Sequence, residues 1–131
     1  MRLTEKEMTA ALTGVAKQVL AAQDKQVRKG KRTADELWEE TSRYQRYVVL
    51  NGLGDQILPV LVALPDVEVA IGERPVLTDE QISEVVEDQM GDEGRLRRKV
   101  LLAARVELVK LALASIPPKA DPDAFIVPDH L

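Results

Sequence analysis

The most hydrophobic helical pattern in this chain is RLRRKVLLAARVELVKLALAS, residues 95–115, and it decides the fold class. Projected at about 100° per residue, its apolar side chains fall on two faces of one helix. Such a helix either lies at the centre of a bundle or buries one face in a partner subunit. The second face is the candidate interface, and it carries Leu102, Val106, Val109 and Leu113.

Three further helix starts are marked by a Thr that is followed three residues later by Glu or Gln. In this capping box the Thr hydroxyl accepts a hydrogen bond from the backbone N–H three residues on, and the Glu or Gln side chain accepts one from the Thr N–H. Apolar residues at helical spacing follow each match, which strengthens the prediction. The three pairs are Thr4 with Glu7, Thr33 with Glu36, and Thr78 with Gln81.

Hydrophobic periodicity and helix-ending residues together predict five helices, at about residues 5–29, 34–50, 55–64, 79–90 and 95–115. Gly30 is the expected stop of the first helix, and the Asn-Gly-Leu-Gly run at 51–54 is expected to end the second. Pro59 is tolerated in the first turns of the short third helix. After Pro117-Pro118 we expect an irregular tail at 117–131. The chain is therefore predicted to be a single all-α domain, residues 1–131, with four main helices and one short one.

Gly14 interrupts the apolar stripe of the first predicted helix. A glycine in a helix interior costs about 1 kcal/mol relative to alanine. We therefore expect close packing against a neighbouring element at this position.

A minor extended segment is predicted at about residues 66–72, where the helical signal vanishes. Val67, Val69 and Ile71 alternate there with Glu68 and Ala70, as in a short strand. The only comparable apolar segment is Phe-Ile-Val at 125–127. The sequence leaves open whether the two segments pair, within one chain or between chains.

The composition excludes several kinds of chemistry. The chain has no cysteine, so disulfides, thiolate metal sites and cysteine nucleophiles are absent. Its single histidine is His130, one residue before the end, where a catalytic base or metal ligand is seldom held rigidly. Neither a cofactor nor a bound metal is expected. With 45% apolar residues, 31% charged residues and no unbroken apolar stretch of membrane-spanning length, we expect a cytoplasmic protein without a membrane segment.

A cluster of cations lies at the start of the last predicted helix, where the helix dipole favours anions instead. Acidic neighbours such as Asp92 and Glu93 are the simpler explanation. An acidic partner or the phosphates of a nucleic acid are the alternative, because residues that oppose local rules tend to mark functional sites. The candidate anion-binding or partner-binding residues are Arg95, Arg97, Arg98 and Lys99.

The segment Arg43-Tyr44-Gln45-Arg46-Tyr47 alternates bases and aromatics, as surfaces that stack nucleic-acid bases do. Tyr44 nevertheless falls on the apolar stripe of the second predicted helix, and Tyr47 falls on its flank. We therefore expect both tyrosines to be buried for structural reasons.

The function that these patterns favour is association without catalysis, as a homodimer or with another protein. The motivating features are the doubly apolar last helix and the lack of catalytic residue types. One alternative is nucleic-acid binding through residues 95–99, although the net charge of −4 does not favour it. The other is a ligand-binding bundle or an enzyme that uses a carboxylate such as Glu107 in an internal pocket.

Overall fold

The computed structural model describes residues 1–92 and 94–121, and within them it contains six α-helices and no strand. This confirms the all-α prediction. No helix in the described part of the chain is long and apolar enough to cross a lipid bilayer. The helices are α1 (Glu5–Gln23), α2 (Lys25–Arg28), α3 (Ala34–Glu40), α4 (Arg43–Ala63), α5 (Asp79–Gln89) and α6 (Arg95–Ser115).

All three capping boxes are present, and they start α1, α3 and α5. At the first box, the Glu7 N–H donates to Thr4 Oγ1 at 3.1 Å, and the Thr4 N–H donates to Glu7 Oε1 at 2.9 Å. The same reciprocal bonds form in the other two boxes. These three starts were predicted correctly because the motif depends only on residues that are neighbours in sequence.

The predicted first helix is wrong at its C-terminal end, because α1 stops at Gln23 rather than near residue 29. Asp24 has extended backbone angles (φ −97°, ψ 122°), and its carboxylate accepts the Val27 N–H at 2.9 Å. Asp is a strong N-cap, so it ends one helix and starts the short α2. The helical pattern continued through this break because α2 is itself a helical turn.

The second and third predicted helices are also divided wrongly. The chain breaks earlier, at Thr41 and Ser42, where Ser42 Oγ accepts the Gln45 N–H at 3.2 Å and starts α4. From there α4 continues through the Asn-Gly-Leu-Gly run and through Pro59 without ending. Each glycine costs about 1 kcal/mol in a helix. Burial of Leu53, Ile57, Val60 and Leu61 on the same helix offsets that cost.

The segment predicted to be extended at 66–72 contains no strand, and it leads into a tight turn. The Glu73 N–H donates to the Ala70 carbonyl at 2.9 Å, with Gly72 at φ +84° as in a type II turn. The Gly72 N–H donates to the Lys119 carbonyl, and the Lys119 N–H donates to the Glu73 carbonyl, both at 2.8 Å. This is the hydrogen-bond pattern of a β-bulge with glycine at its first position. The segment thus pairs with Lys119, whereas residues 125–127 and His130 lie outside the described residues.

α1 lies at the centre of the packing, with α3, α4 and α6 against it, and α5 packs on α4 and α6. The core is aliphatic apart from Trp38, and its fully buried side chains include Val15, Ile57, Leu61 and Ile82. Gly14 lies where α1 meets the last residue of α6, and a Cβ at this position would overlap the Ser115 side chain. The close packing predicted for Gly14 is therefore confirmed.

Candidate association surface

The four residues of the predicted interface on α6 are covered by helices of the same chain. Val106, Val109 and Leu113 are buried in the core, and Leu102 is partly buried against it. Packing against α1, α4 and α5 therefore accounts for the second apolar face of α6. A surface for a partner has to be found among side chains that remain exposed.

The other face of α6 exposes Leu96, Val100 and Leu111, but charged residues interrupt it. Lys110 Nζ lies 3.3 Å from Asp79 Oδ1 and 3.7 Å from Glu107 Oε1. The hydrogen bond and charge of Asp79, followed by the charge of Glu107, raise the pKa of the Lys110 ammonium. This face is therefore held in a charged network between α5 and α6. Glu107 itself is at the surface, and the described core contains no polar or charged side chain.

Among the described helices, α4 carries the most exposed large apolar side chains. Its exposed side chains are Tyr44 (75% exposed), Tyr47 (64%), Val48 (50%) and Val62 (60%). The prediction that both tyrosines are buried is wrong, because it assumed one continuous helix from residue 34 to residue 50. The break at Thr41 and Ser42 changes the helical phase, so the apolar stripe of α3 does not continue onto α4.

Two grooves flank this face and are lined largely by apolar side chains. One, of about 720 Å³, lies between α1 and the C-terminal half of α4 and is lined by residues such as Leu12, Leu50 and Leu58. The other, of about 470 Å³, lies at the N-terminal half of α4 and includes Leu20 and Leu37 in its lining. α4 therefore presents a ridge of exposed side chains with a depression at each end.

The four residues of the basic cluster at the start of α6 have different environments. Arg98 donates to the Gly91 carbonyl at 2.7 Å and to the Glu87 carbonyl at 3.2 Å, at the C-terminal end of α5. A cation is favourable at a helix C-terminus, so α5 offsets the unfavourable position of Arg98 on α6. Arg95, Arg97 and Lys99 are exposed and make no ion pair with residues 1–92 or 94–121.

Arg46 has a structural role beside the α4 face. Its guanidinium lies 5.2 Å from the centre of the Trp38 ring, and it donates to the Thr41 and Glu39 carbonyls at 3.1 Å each. These bonds satisfy carbonyl groups at the end of α3. The Arg46 guanidinium is therefore engaged with α3 and Trp38. Its ring contact is with Trp38 and not with Tyr44 or Tyr47, both of which are exposed.

Asp24 is a structural residue that the sequence pattern did not reveal. Its carboxylate binds the Arg32 guanidinium through two atoms, Nη2 at 2.6 Å and Nε at 3.3 Å, while Arg32 Nη1 binds Glu40. Asp24 therefore caps α2 and connects it to the start and end of α3. The hydrogen bonds from Arg32, followed by that from the Val27 N–H, lower the pKa of the Asp24 carboxyl.

Replacing Asp24 with Asn is expected to make the stability of the protein less dependent on pH in the acid range. Because the pKa of Asp24 is lowered on folding, its contribution is complete above its unfolded pKa of about 3.9 and is lost as pH falls through the folded value. Asn keeps the cap but loses the ion pair. In urea unfolding, D24N should be less stable than wild type at pH 7 and converge with it at low pH. Asp88→Asn, at an exposed position on α5, is the control. Its free energy of unfolding should follow the same pH dependence as that of the wild type.

Comparison of the chain with protein-family models, with curated proteins and with solved structures finds no match. Within the described residues no group of three or more acidic or histidine side chains is arranged to hold a metal ion. The candidate site is the exposed apolar face of α4, which the sequence patterns did not predict.

Proposed function

We propose that this protein acts by association with a second copy of itself through the exposed face of α4, without catalysis. The single observation that carries this proposal is the row of exposed Tyr44, Tyr47, Val48 and Val62 along one helix. Single exposed apolar residues are ordinary on protein surfaces, but several exposed apolar side chains that share one helix face are typical of an interaction site. Aromatic residues such as the two tyrosines are also enriched in interfaces.

The energetics favour covering this face. Complete burial of a large apolar side chain contributes about 1.5–3 kcal/mol relative to exposure. Covering the exposed parts of four such side chains therefore offsets a substantial part of the entropic cost of association.

We place the dimer in the cytoplasm as part of the same proposal.

The nucleic-acid alternative has less support once the contacts of its arginines are taken into account. Arg98 is occupied by carbonyl groups of the α5–α6 turn, and Arg46 is occupied by those of α3. Arg95, Arg97 and Lys99 are left as the candidate phosphate-binding residues. Titration of a labelled oligonucleotide at low salt tests them, since phosphate contacts weaken steeply as salt is added.

Val48→Glu is expected to shift the protein from dimer to monomer at micromolar concentration. The substitution places a charge in the N-terminal apolar part of the α4 face, next to Tyr44 and Tyr47, where it would have to be desolvated on association. The measurement is molar mass by sedimentation velocity across a concentration series. Val100→Glu is the matched control, because it adds the same charge at an exposed valine on α6 and should leave the mass unchanged.

A wild-type protein that stays monomeric up to millimolar concentration would refute the proposal. A dimer that responds to Val100→Glu and not to Val48→Glu would refute the assignment of the interface to α4. Because both positions are exposed, both variants should retain their helices. Circular dichroism of each variant checks this.

A further inference from the structure

The partly or fully exposed face of α4 follows a regular spacing along the helix. Its residues alternate between steps of four and three, as do the core positions of a pair of packed helices. The two ends of the row are apolar and the centre is polar. In order, the residues are Tyr44, Val48, Asn51, Asp55, Leu58 and Val62.

We infer that two copies of the chain pair antiparallel through α4, about a two-fold axis at the level of residue 53 along the helix and on the helix side opposite the buried Leu53 side chain. The inference rests on the proposed self-association and specifies its geometry. Position 53 is the midpoint of the row, so in this register each residue meets a chemically suitable one of the partner subunit. Tyr44 meets Val62 of the partner subunit, Val48 meets the partner's Leu58, and Asn51 meets the partner's Asp55.

The central pair decides the relative direction of the two helices. In an antiparallel dimer the Asn51 amide donates to the carboxylate of the partner's Asp55, and the two-fold axis repeats this bond. In a parallel dimer Asp55 would instead face the partner's Asp55, and two like charges in contact oppose association. The antiparallel arrangement also places the positive end of each helix dipole beside the negative end of the other.

The exposed face of α6 does not offer an equivalent row. In an antiparallel pair of α6 helices with its midpoint at residue 105, Val100 would lie opposite the partner's Lys110 and Ala103 opposite the partner's Glu107. Lys110 is also already engaged with Asp79 and Glu107. The exposed apolar residues of α6, which are Leu96, Val100 and Leu111, therefore do not repeat the symmetric spacing found on α4.

The absence of cysteine from the chain makes a direct test possible. Residues 44 and 62 lie about 27 Å apart along one helix, so they cannot be bridged within a chain. In the antiparallel dimer each lies beside the other residue of the partner subunit, within reach of a disulfide. Both positions are exposed, so substitution should not disturb the core.

The experiment oxidises four variants at micromolar concentration and follows the yield of covalent dimer on a non-reducing gel. The double variant Tyr44→Cys/Val62→Cys should be converted almost completely to covalent dimer. Each single variant should give a yield of covalent dimer that is at least about tenfold lower. In a single variant each subunit carries one thiol, and the two thiols lie about 27 Å apart in the antiparallel dimer. Val100→Cys on α6 is the control for random collision and should match the single variants.

Efficient cross-linking of Tyr44→Cys alone would overturn the antiparallel geometry, because it requires parallel helices. Equal, low yields from the double variant and Val100→Cys would overturn the α4 pairing. If wild type is dimeric in solution, efficient cross-linking of Tyr44→Cys alone removes only the antiparallel geometry and leaves association through α4 standing. Low yields from the double variant in a dimeric protein also remove this register, and the response of the mass to Val48→Glu then decides whether α4 forms the interface. If wild type is monomeric, both proposals fail together.

A second set of variants tests the central pair without cysteine. Asn51→Asp places like charges across the two-fold axis and should weaken the dimer by about tenfold or more. Adding Asp55→Asn to it exchanges the two groups and should restore most of the affinity. Failure of the double variant to recover would contradict the contact between residue 51 and the partner's residue 55.

Discussion

Leu61→Ala is expected to lower the free energy of unfolding by about 4 kcal/mol, within the 2–5 kcal/mol usual for such truncations. Leu61 is 0% exposed, and it lies on α4 in the cluster that joins α1, α5 and α6. Truncation removes apolar contacts and leaves a cavity that closely packed helices fill only in part. Domains of this size are commonly stable by about 5–15 kcal/mol, so the loss is a large share of the total.

The matched control for this change is Leu96→Ala. Leu96 is 78% exposed at the start of α6, so the same atoms are removed where little packing is lost. Its effect is expected to stay within about 0.5 kcal/mol. Both variants are compared by urea unfolding at one protein concentration, because self-association would couple stability to concentration. Equal losses for the two leucines would contradict the position of Leu61 in the core.

Gly14→Ala is expected to destabilise the protein by about 3 kcal/mol, the upper part of the range for overpacking. The added methyl group would overlap both Cβ and Oγ of Ser115, and its clash with the Cβ cannot be relieved by rotating the side chain. α1 and α6 would have to move apart along their whole contact. The gain in helix propensity, about 1 kcal/mol, is too small to compensate.

Two variants separate this clash from the general effects of replacing a helical glycine. Gly52→Ala lies within α4, where an added Cβ meets nothing within 4 Å, and it should stabilise the monomer by up to about 1 kcal/mol. Gly14→Ala combined with Ser115→Gly moves the methyl group from α6 to α1 and should recover more than half of the loss. The comparison uses thermal and urea unfolding in dilute solution. A stabilising Gly14→Ala would show that the two helices do not approach closely here.

The parts of the fold that were predicted correctly depend on local chemistry. The capping boxes at Thr4, Thr33 and Thr78 place three helix starts, and the pattern of residues 95–115 gives α6 its observed bounds. The errors arose where one local signal masked another, or where tertiary packing outweighed a local signal. The helical periodicity continues past Asp24, so the pattern did not reveal a helix end there. Asp24 nevertheless ends α1, because it caps the N-terminus of α2. The glycines of α4 look like a helix end in sequence, yet tertiary burial of the same helix outweighs their intrinsic cost.

The candidate surface was less predictable than the fold for a related reason. A sequence shows that α6 has two apolar faces, but it does not show which one the rest of the chain covers. The face containing Val106 and Val109 is covered, whereas Tyr44 and Val48 on α4 are exposed. Their exposure follows from the break at Thr41 and Ser42, which sets the rotation of α4 relative to α3.

Local patterns were sufficient to predict the helical class, three of the helix starts, the bounds of the last helix and the need for close packing at Gly14. These follow from hydrogen bonds and periodicities that extend over a few neighbouring residues. Long-range packing was needed to establish that α4 is one continuous helix, that Arg98 closes the α5–α6 turn, and that exposed apolar side chains lie along α4. Each of these depends on which distant helices pack together, because burial, unlike capping, is a property of the whole fold.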